Sequence, residues 1–498
     1  LEALVDEGAL QADEQWKRLR ARLSSGTLAD AEVPEELRAT LRDYQRTGFL
    51  WLARLASLES GAVLADDMGL GKTVQALALL VHRASEGPAL VIAPTSLGDN
   101  WAREAERFAP SLRVRVHRGG GRHAALESDP PGPGDVLVAS YDVVALDVDA
   151  LSSIQLATLV LDEAQSVKNP EALRTKAVRE LRARVRIALT GTPLENRLSE
   201  LWSIVSIVHP GLLGPWEHFR ARFAQPIERD HDAERLAALA ALVRPYLLRR
   251  TKEVVTPELP PRIEILREVE LSDAERRLYD AERASAIAAL GEAGEAQRFR
   301  VLASITRLRE IACDASLVVP DAGVTSSKLA ALIDLVDELE GAGRKVLVFS
   351  QFVRLLERVA ILLRARNTSY LQLDGSTPAA ERARRVERFQ AGEATVFLLS
   401  LKAGGTGLNL TTADTVVHLD PWWNPAVEDQ ASDRAHRIGQ DKPVTIVRLV
   451  AKDTIEQAVL ALHDAKRALT RGVLEGADAA GALSAVDLLD LIRTAPTR

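Results

Sequence analysis

The chain contains one cysteine, no long apolar run and no excess of positive charge. Because Cys313 is the only thiol, no disulfide can form within the chain, which favours a reducing compartment such as the cytosol. No apolar stretch approaches the roughly 18–20 residues that a membrane-spanning helix needs. The chain begins at Leu1 without the pattern of a signal peptide, which indicates a piece of something longer. We therefore predict a cytosolic protein without a membrane partner.

The net charge of −7 excludes a protein coated in positive charge. Such a coat is the usual electrostatic signature of a nucleic-acid binder, so any contact with nucleic acid must be confined to a local groove. The arginine cluster at 382–388 could line a groove of this kind. It could equally be a solvated helix face balanced by Glu381 and Glu387. Charge alone leaves both interpretations open.

The chain does contain two series of short apolar runs, each ending in small or polar residues. The first series is 62–65, 89–94, 136–140, 159–163 and 186–190, and the second is 345–350, 369–374, 395–400, 415–420 and 444–450. Helical stretches such as 74–84 and 353–366 lie between them. Runs of this length alternating with helices are typical of parallel sheets covered on both faces. Since 498 residues exceed a single core, the predicted fold class is α/β, with two parallel-sheet lobes in tandem and helical insertions. A ligand is expected at the carboxyl ends of the strands.

The predicted organisation has five parts. They are a helical lead-in at 1–34, a first lobe at 35–250 with a helical insertion near 197–245, a linker and helical insertion at 251–325, a second lobe at 326–452, and a helical tail at 453–498. Pro257, Pro260 and Pro261 predict a stiff connector between the lobes. The periodicity of the second insertion predicts buried side chains at Leu278, Ile287, Leu302, Ile305 and Leu308.

The run DDMGLGKT at 66–73 follows a short strand and opens a helix, which is the context that a P-loop requires. Glycines in such a loop let backbone N–H groups face phosphates, Lys72 would meet the terminal phosphates, and the Thr73 hydroxyl would hold Mg²⁺. The strict pattern has glycine where this chain has Asp66. A glycine turn without function is the alternative. The predicted ATP contacts of the loop are Asp67, Met68, Gly69, Leu70, Gly71, Lys72 and Thr73.

A second acidic feature is the buried strand of 159–165, which ends in Asp162 and Glu163. Phosphoryl transfer to water needs one group to fix the metal and another to orient the attacking water. A lone Asp-Glu pair is more often a solvated strand end. With a P-loop upstream, the pair predicts a Walker B element in which Asp162 binds magnesium and Glu163 polarises water.

Arg434 and Arg437 lie three residues apart and share a face if their segment is helical. A guanidinium group is planar, always charged and suited to phosphate oxygens. Arginines supplied by the second lobe can therefore stabilise the transition state of phosphoryl transfer. A helix salt bridge to Asp429 or Asp433 is the alternative.

Taken together, these motifs resemble superfamily 2 helicases and, within them, the Snf2 family. In the first half the resemblance is carried by LRDYQRTGFLWL at 41–52, APTSLGDNW at 93–101, ASYD at 139–142, LDEAQ at 161–165, LTGTPLEN at 189–196 and the connector LLRRTKEVVTPELPPR at 247–262. In the second half it is carried by VLVFSQF at 346–352, LDGST at 373–377, SLKAGGTGLNL at 400–410, DPWWNP at 420–425 and DQASDRAHRIGQ at 429–440. The resemblance implies RecA-like lobes, and Gln165 in the DEAQ box resembles bacterial and archaeal members.

The resemblance also implies roles for residues outside the P-loop. Gln45 would bond the adenine edge, and Gly407, Asn409 and Gln430 would add to the ATP site. One nucleic-acid backbone would be tracked by Pro94, Thr95, Ser96, Trp101 and Ser140 of the first lobe and by Ser350, Gln351, Gly375, Ser376, Lys402 and Thr406 of the second. Such contacts position phosphates without specifying bases. Trp423 could stack on a nucleotide, or it could belong to the core.

The expected function is that of an ATP-dependent translocase on double-stranded DNA that remodels or displaces DNA-bound proteins, without sequence specificity and with ATP and Mg²⁺ as cofactors. In a bacterium it would be associated with the nucleoid. A helicase that separates DNA or RNA strands is the alternative enzyme, because the ATP site cannot distinguish the two. A scaffold without turnover is disfavoured, because such a protein would have no need of five catalytic groups, which are Lys72, Asp162, Glu163, Arg434 and Arg437.

Overall fold

Two parallel β-sheets form the framework of the molecule. The computed structural model describes residues 31–192, 194, 197–256, 258–288, 295–320, 323–401 and 408–463. The first sheet has seven strands in the order β3-β4-β2-β5-β6-β1-β7, and the second has six in the order β10-β11-β9-β12-β13-β8. The strands of the first sheet are β1 Ala62–Leu64, β2 Ala89–Ala93, β3 Arg113–Val116, β4 Asp135–Ser140, β5 Leu156–Asp162, β6 Ala183–Leu189 and β7 Leu247–Leu248. Those of the second are β8 Arg262–Val269, β9 Val346–Ser350, β10 Tyr370–Leu373, β11 Val396–Ser400, β12 Thr415–His418 and β13 Val444–Ala451.

Helices cover both sheets and form the insertions. In the first part of the chain they are α1 Asp43–Ser57, α2 Lys72–His82, α3 Gly98–Phe108, α4 Arg122–Ser128, α5 Tyr141–Leu146, α6 Val148–Ser152, α7 Leu173–Glu180, α8 Leu198–Val208, α9 Trp216–Phe219, α10 Gln225–Asp230 and α11 Ala233–Val243. Then follow α12 Lys252–Val255, α13 Asp273–Ala288, α14 Glu295–Cys313, α15 Ser327–Gly341, α16 Val353–Ala365, α17 Ala379–Gln390 and α18 Pro425–Ser432. Residues 455–463 are also helical. None of the helices in the described ranges is long and apolar enough to cross a membrane.

The central strands are buried on both faces, as their continuous apolar sequences predict. In β2, Leu90 and Ile92 join the core on one face of the sheet while Val91 joins the core on the other. The same alternation in β9 sends Val348 to one core and Phe349 to the other. Side chains on a strand alternate between faces, so each sheet holds two cores. The predicted α/β class with two parallel-sheet lobes is confirmed.

Three strands were not predicted, and all three lie at sheet edges. They are β3, β7 and β8. Arg113 and Arg115 interrupt the apolar sequence of β3, because an edge strand meets solvent along its open side. β7 has only two residues, and β8 is largely exposed and rich in charged residues.

Two helices, α13 and α14, lie within the region 251–325 for which a linker and helical insertion are predicted. Ile305 and Leu308 are buried there as predicted. The predictions for Ile287 and Leu302 are wrong, since these side chains are 40% and 45% exposed. Their helices present one face to the protein, and these two side chains lie off that face.

Arg309 fastens the insertion to the second sheet. Its guanidinium lies 5.7, 5.9 and 5.2 Å from the ring centroids of Phe352, Trp422 and Trp423. It also donates through Nη2 to the carbonyl oxygen of Pro421 at 2.5 Å. Arg309 is 2% exposed, so these cation–π contacts form in a desolvated setting where they are strongest.

Candidate active site between the two sheets

The phosphate cradle is the loop between β1 and α2. Gly69 and Gly71 have φ values of +84° and +74°, a left-handed conformation that glycine adopts without steric cost. Helix α2 begins at Lys72, so its unpaired N–H groups open toward the loop as in an anion site. The Lys72 Nζ donates to the carbonyl oxygens of Asp66 and Asp67 at 2.6 and 3.2 Å. Burial lowers the pKa of Lys72, and the negative charge of Glu163 opposes that shift.

Asp66, the departure from the strict P-loop pattern, has a structural explanation. Its buried carboxylate forms a two-point ion pair with Arg250, at 2.9 Å from Nε and 2.5 Å from Nη2. The neighbouring Asp67 carboxylate accepts the backbone N–H of Lys252 at 3.1 Å, and burial raises the pKa of Asp67. Both acids are thus directed toward the connector. Asp67 is predicted from the motif to contact the nucleotide, whereas the Asp66–Arg250 pair could not be predicted, because no local spacing indicates a contact across 184 residues.

Gln45, the predicted adenine-reading residue, lies against the same loop. Its side-chain amide donates to the carbonyl oxygen of Leu70 at 3.1 Å and accepts the N–H of Arg42 at 3.0 Å. The Tyr44 hydroxyl donates to the same Leu70 carbonyl at 3.0 Å. A Cβ atom on Gly71 would collide with the Gln45 amide. Glycine at 71 is therefore required both by its φ angle and by this close packing.

Asp162 and Glu163 stand at the carboxyl end of β5, as predicted. The Asp162 carboxylate accepts the Trp101 indole N–H at 2.8 Å and the Glu163 N–H at 3.0 Å. Burial, with the charge of Glu163 as a second cause, raises the pKa of Asp162 to about 7. Glu163 has a φ of +49°, a strained conformation for a residue with a side chain that costs roughly 1–3 kcal/mol and is found mainly at functional sites.

Gln165 links the acidic pair to the next strand. Its Nε2 donates to Glu163 Oε2 at 2.8 Å, and its Oε1 accepts the Thr190 hydroxyl at 2.9 Å. The Thr190 oxygen in turn accepts the N–H of Thr192 at 3.0 Å. A glutamine can do both tasks because its amide carries a donor and an acceptor. The side chain of Glu163 is therefore oriented from the end of β6.

Arg434 and Arg437 of the second lobe reach the P-loop of the first. Arg434 Nη2 lies 3.8 Å from the Met68 sulfur. Arg437 covers Gly69 so closely that a Cβ on that glycine would stand 2.8 Å from Arg437 Cγ. Burial and the neighbouring arginine lower the pKa of Arg434 to about 10, with Glu163 acting in the opposite direction. Burial likewise lowers the pKa of Arg437.

The two aspartates proposed as helix partners of these arginines are engaged by the connector instead. Asp429 pairs with Arg262 at 2.6 Å, and Asp433 pairs with Lys252 at 2.7 Å. The arginine pair therefore faces the phosphate cradle while its neighbouring acids face the connector.

A cavity of about 440 Å³ opens between the sheets beside Glu163. Its walls come from both lobes and include the predicted nucleotide residue Gln430 and the predicted nucleic-acid residues Pro94 and Gln351. The full lining is Pro94, Glu163, Gln165, Ser166, Gln351, Phe352, Leu401, Trp422, Val427 and Gln430. The cavity thus lies beside Glu163 and beside residues that are predicted to hold a nucleic-acid strand.

The predicted nucleic-acid residues differ in exposure. Thr95, Ser96, Gly375 and Ser376 are exposed. Ser140 is half-buried and caps α5 by accepting the N–H of Val143 at 3.2 Å. Asn409, assigned to the nucleotide, is exposed. Lys402, Thr406 and Gly407 lie outside the described residues.

Two of these residues do not lie on an accessible surface. Trp101 is 2% exposed, and its indole N–H is bonded to Asp162. Ser350 is fully buried, and its hydroxyl donates to Asp420 at 2.6 Å. Both side chains are thus hydrogen-bonded within the protein, and their contact with nucleic acid stays a prediction. Trp423 is half-buried against Arg309, a neighbour that the sequence did not indicate.

Two parallel sheets that hold a phosphate cradle, a strand-end acidic pair and two arginines at one cleft define a P-loop ATPase of the helicase type. Comparison with protein families identifies the family within this class of ATPases. The model of the SNF2-related domain matches residues 44–317, and that of the helicase conserved C-terminal domain matches residues 327–439. The chain therefore belongs to the SNF2-related family, whose members use ATP.

Individual relatives are similar over most of the chain. The Bacillus subtilis (strain 168) protein YwqA, whose name describes an ATP-dependent helicase/translocase, is 37% identical over 96% of this chain and 54% of its own length. The human SWI/SNF-related matrix-associated actin-dependent regulator of chromatin subfamily A member 1 is 36% identical over 87% of this chain and 44% of its own length. The chain thus spans about half the length of the curated relatives it matches. A solved Sulfolobus solfataricus SWI2/SNF2 ATPase core in complex with dsDNA is 34% identical, covering 90% of this chain and 96% of that one, with a TM-score of 0.47.

Proposed function

We propose that this chain is a DNA-dependent ATPase that translocates along double-stranded DNA and displaces or remodels proteins bound to it. One observation carries the proposal: Arg437 of the second lobe covers Gly69 of the P-loop, and Arg434 lies beside Met68. A nucleotide bound in this cradle would have to be enclosed by both lobes. Its hydrolysis would then change the contact between them.

We propose the following roles for the residues of the site. Lys72 and the backbone of the P-loop bind the phosphates, and Gln45 bonds the adenine. Glu163, oriented by Gln165, positions the attacking water and accepts its proton. Arg434 and Arg437 stabilise the charge on the phosphoryl group as it leaves ADP.

The proposed magnesium site consists of Thr73 and Asp162. Oxygen ligands of this type suit Mg²⁺, which takes its remaining ligands from nucleotide phosphates and water. The described ranges contain no group of three acidic, histidine or cysteine side chains that could hold a metal ion. A buried carboxylate whose pKa is raised to about 7 is also one that a neighbouring cation would stabilise in its charged form.

We propose that the chain moves along DNA because its two lobes bind and release the same strand alternately. The cleft holds Pro94 of the first lobe and Gln351 of the second beside Glu163 and Gln430. If the two lobes bind the same strand, closure on ATP and opening after hydrolysis would move one grip relative to the other. Phosphate contacts of this kind carry no base specificity, so we propose none. The names of the relatives, a helicase/translocase and a chromatin regulator, support this class of activity.

The test measures ATP turnover with double-stranded DNA, single-stranded DNA and RNA, followed by triplex displacement and strand displacement on matched substrates. We expect double-stranded DNA to stimulate turnover most, and the triplex strand to be displaced without separation of the duplex. Glu163→Gln, which should bind ATP and hydrolyse it slowly, is the control for ATP-driven movement. Robust unwinding of a plain duplex would favour the strand-separating helicase and would contradict the translocase proposal.

A further inference from the structure

The connector, residues 247–262, contacts both halves of the nucleotide site. Its first strand, β7, extends the first sheet beside β1, and Ala65 donates its N–H to the Leu248 carbonyl at 2.7 Å. Two residues later Asp67 donates its N–H to the Arg250 carbonyl at 2.9 Å. The P-loop is therefore paired with the connector along its backbone as well as through the Asp66–Arg250 ion pair.

Lys252 extends this attachment to the second lobe. Its backbone N–H is bonded to the Asp67 carboxylate, as described above, while its ammonium group points the other way. Nζ donates to the carbonyl oxygen of His436 at 2.6 Å and pairs with Asp433 at 2.7 Å. Lys252 is 6% exposed. One residue is thus bonded to the P-loop on one side and to the arginine-bearing segment on the other.

The arginine-bearing segment, residues 433–437, alternates its contacts. Lys252 is bonded to Asp433 and to the carbonyl oxygen of His436. The residue that follows each of these, Arg434 and Arg437 respectively, contacts the P-loop. The His436 ring adds a further contact with the connector, because Nε2 lies 2.8 Å from the Pro260 carbonyl oxygen. A rotation of this segment that released Lys252 would therefore also move both guanidinium groups.

The strength expected of this attachment follows from its burial. An exposed ion pair contributes little, since water screens it. Lys252 is almost wholly buried and Asp433 is mostly so, with 7% and 15% of their side chains exposed, so loss of one partner would leave a desolvated charge without compensation. Charge-assisted hydrogen bonds also fix direction more strictly than packing does.

We propose that Lys252 is a positioning residue for ATP hydrolysis, which holds Arg434 and Arg437 over the P-loop through Asp433 and the His436 carbonyl. The inference rests on the proposed function of the site. The side chain of Lys252 is bonded to Asp433 and to the His436 carbonyl, so it would act on hydrolysis through the neighbouring arginines. Misplacement of a catalytic group by about 1 Å can lower a rate by about 100-fold, so the contribution of Lys252 should appear in turnover more than in ATP affinity.

The test compares Lys252→Met, Lys252→Arg, Asp433→Asn and the double variant Lys252→Met/Asp433→Asn with the unmodified chain. We expect Lys252→Met to lower kcat about 30-fold while KM for ATP changes less than about threefold. Lys252→Arg, which keeps the charge, should restore part of the lost turnover. The double variant should be about as slow as Lys252→Met, because the two side chains act as one unit.

Lys176→Met is the matched control, since Lys176 is a half-exposed lysine paired with Glu171 at 3.0 Å, and it should leave turnover unchanged. Thermal unfolding identifies any variant that fails to fold. If Lys252→Met does not fold, Asp433→Asn tests the same ion pair by a change in the second lobe. An unchanged kcat in folded Lys252→Met or Asp433→Asn would overturn the proposal, as would additive losses in the double variant. Turnover is measured with and without DNA. If DNA does not stimulate the unmodified chain, the proposed function is contradicted. The kcat measured without DNA still tests the role of Lys252.

Discussion

The two halves of the nucleotide site are built differently. The first-lobe half lies at strand ends of a single sheet, where Asp162, Glu163 and Gln165 are joined to each other and to Trp101 by hydrogen bonds. The second-lobe half is a short segment held against the first by the connector and by contacts of its arginines with Gly69 and Met68. The first half is formed within one sheet, whereas the second is supplied by the other lobe. We infer that the first half binds ATP and the second supplies chemistry that depends on closure.

Lys72→Ala should produce the largest effect and tests the binding half. The ammonium group lies in a desolvated loop, where its interaction with phosphate is strong. We expect kcat/KM for ATP to fall by about 1,000-fold with the fold intact, as measured by steady-state hydrolysis and circular dichroism. Lys176→Ala is the control for loss of a lysine. Undiminished hydrolysis in Lys72→Ala would remove the P-loop assignment.

Arg437→Ala should have the next largest effect on turnover, and it distinguishes the roles of the two halves of the nucleotide site. Loss of a guanidinium group that acts on the transition state should lower kcat by about 100-fold. The dissociation constant for ATP should change less than about threefold if binding belongs to the first lobe. Turnover and equilibrium binding are both measured, with the exposed Arg364 changed to alanine as the control. Equal losses in ATP affinity and in turnover would show that both halves bind ATP, which would contradict the proposed division between them.

Asp66→Gly should have the smallest effect on turnover, although it restores the strict P-loop pattern. Removal of the carboxylate leaves the Arg250 guanidinium, 12% exposed, without its ionic partner. We expect the free energy of unfolding to fall by about 3 kcal/mol, as measured by urea denaturation. Asp129→Gly, which removes a half-exposed carboxylate, should cost about 0–1 kcal/mol. Unchanged stability in Asp66→Gly would mean that the first half does not depend on the connector.

The sequence predicted the structure best where an element is specified by an unbroken run of residues of one kind. The central strands β2, β5, β9 and β11 were predictable because parallel strands buried on both faces are apolar throughout. The edge strand β8 was not, since its exposed charged residues resemble a loop. Ile287 and Leu302 were predicted as buried from helical periodicity, but periodicity alone does not specify which side of a helix meets the protein.

The candidate site follows the same division. Lys72, Asp162, Glu163 and Arg437 could be identified because each belongs to a contiguous motif with a chemical rationale. The long-range contacts that support them could not be predicted. Trp101 meets Asp162 across 61 residues, and Lys252 meets the His436 carbonyl across 184; contacts of this kind depend on how the sheets are assembled.

The enclosure of Arg309 by Phe352, Trp422 and Trp423 has a consequence for motion. Because this buried cation lies among rings that belong to the second lobe, α13 and α14 are held against that lobe. If the lobes move relative to each other as proposed, α13 and α14 would move with the second lobe and carry the exposed side chains of Ile287 and Leu302 with them. A spectroscopic probe attached at either position would then report that movement.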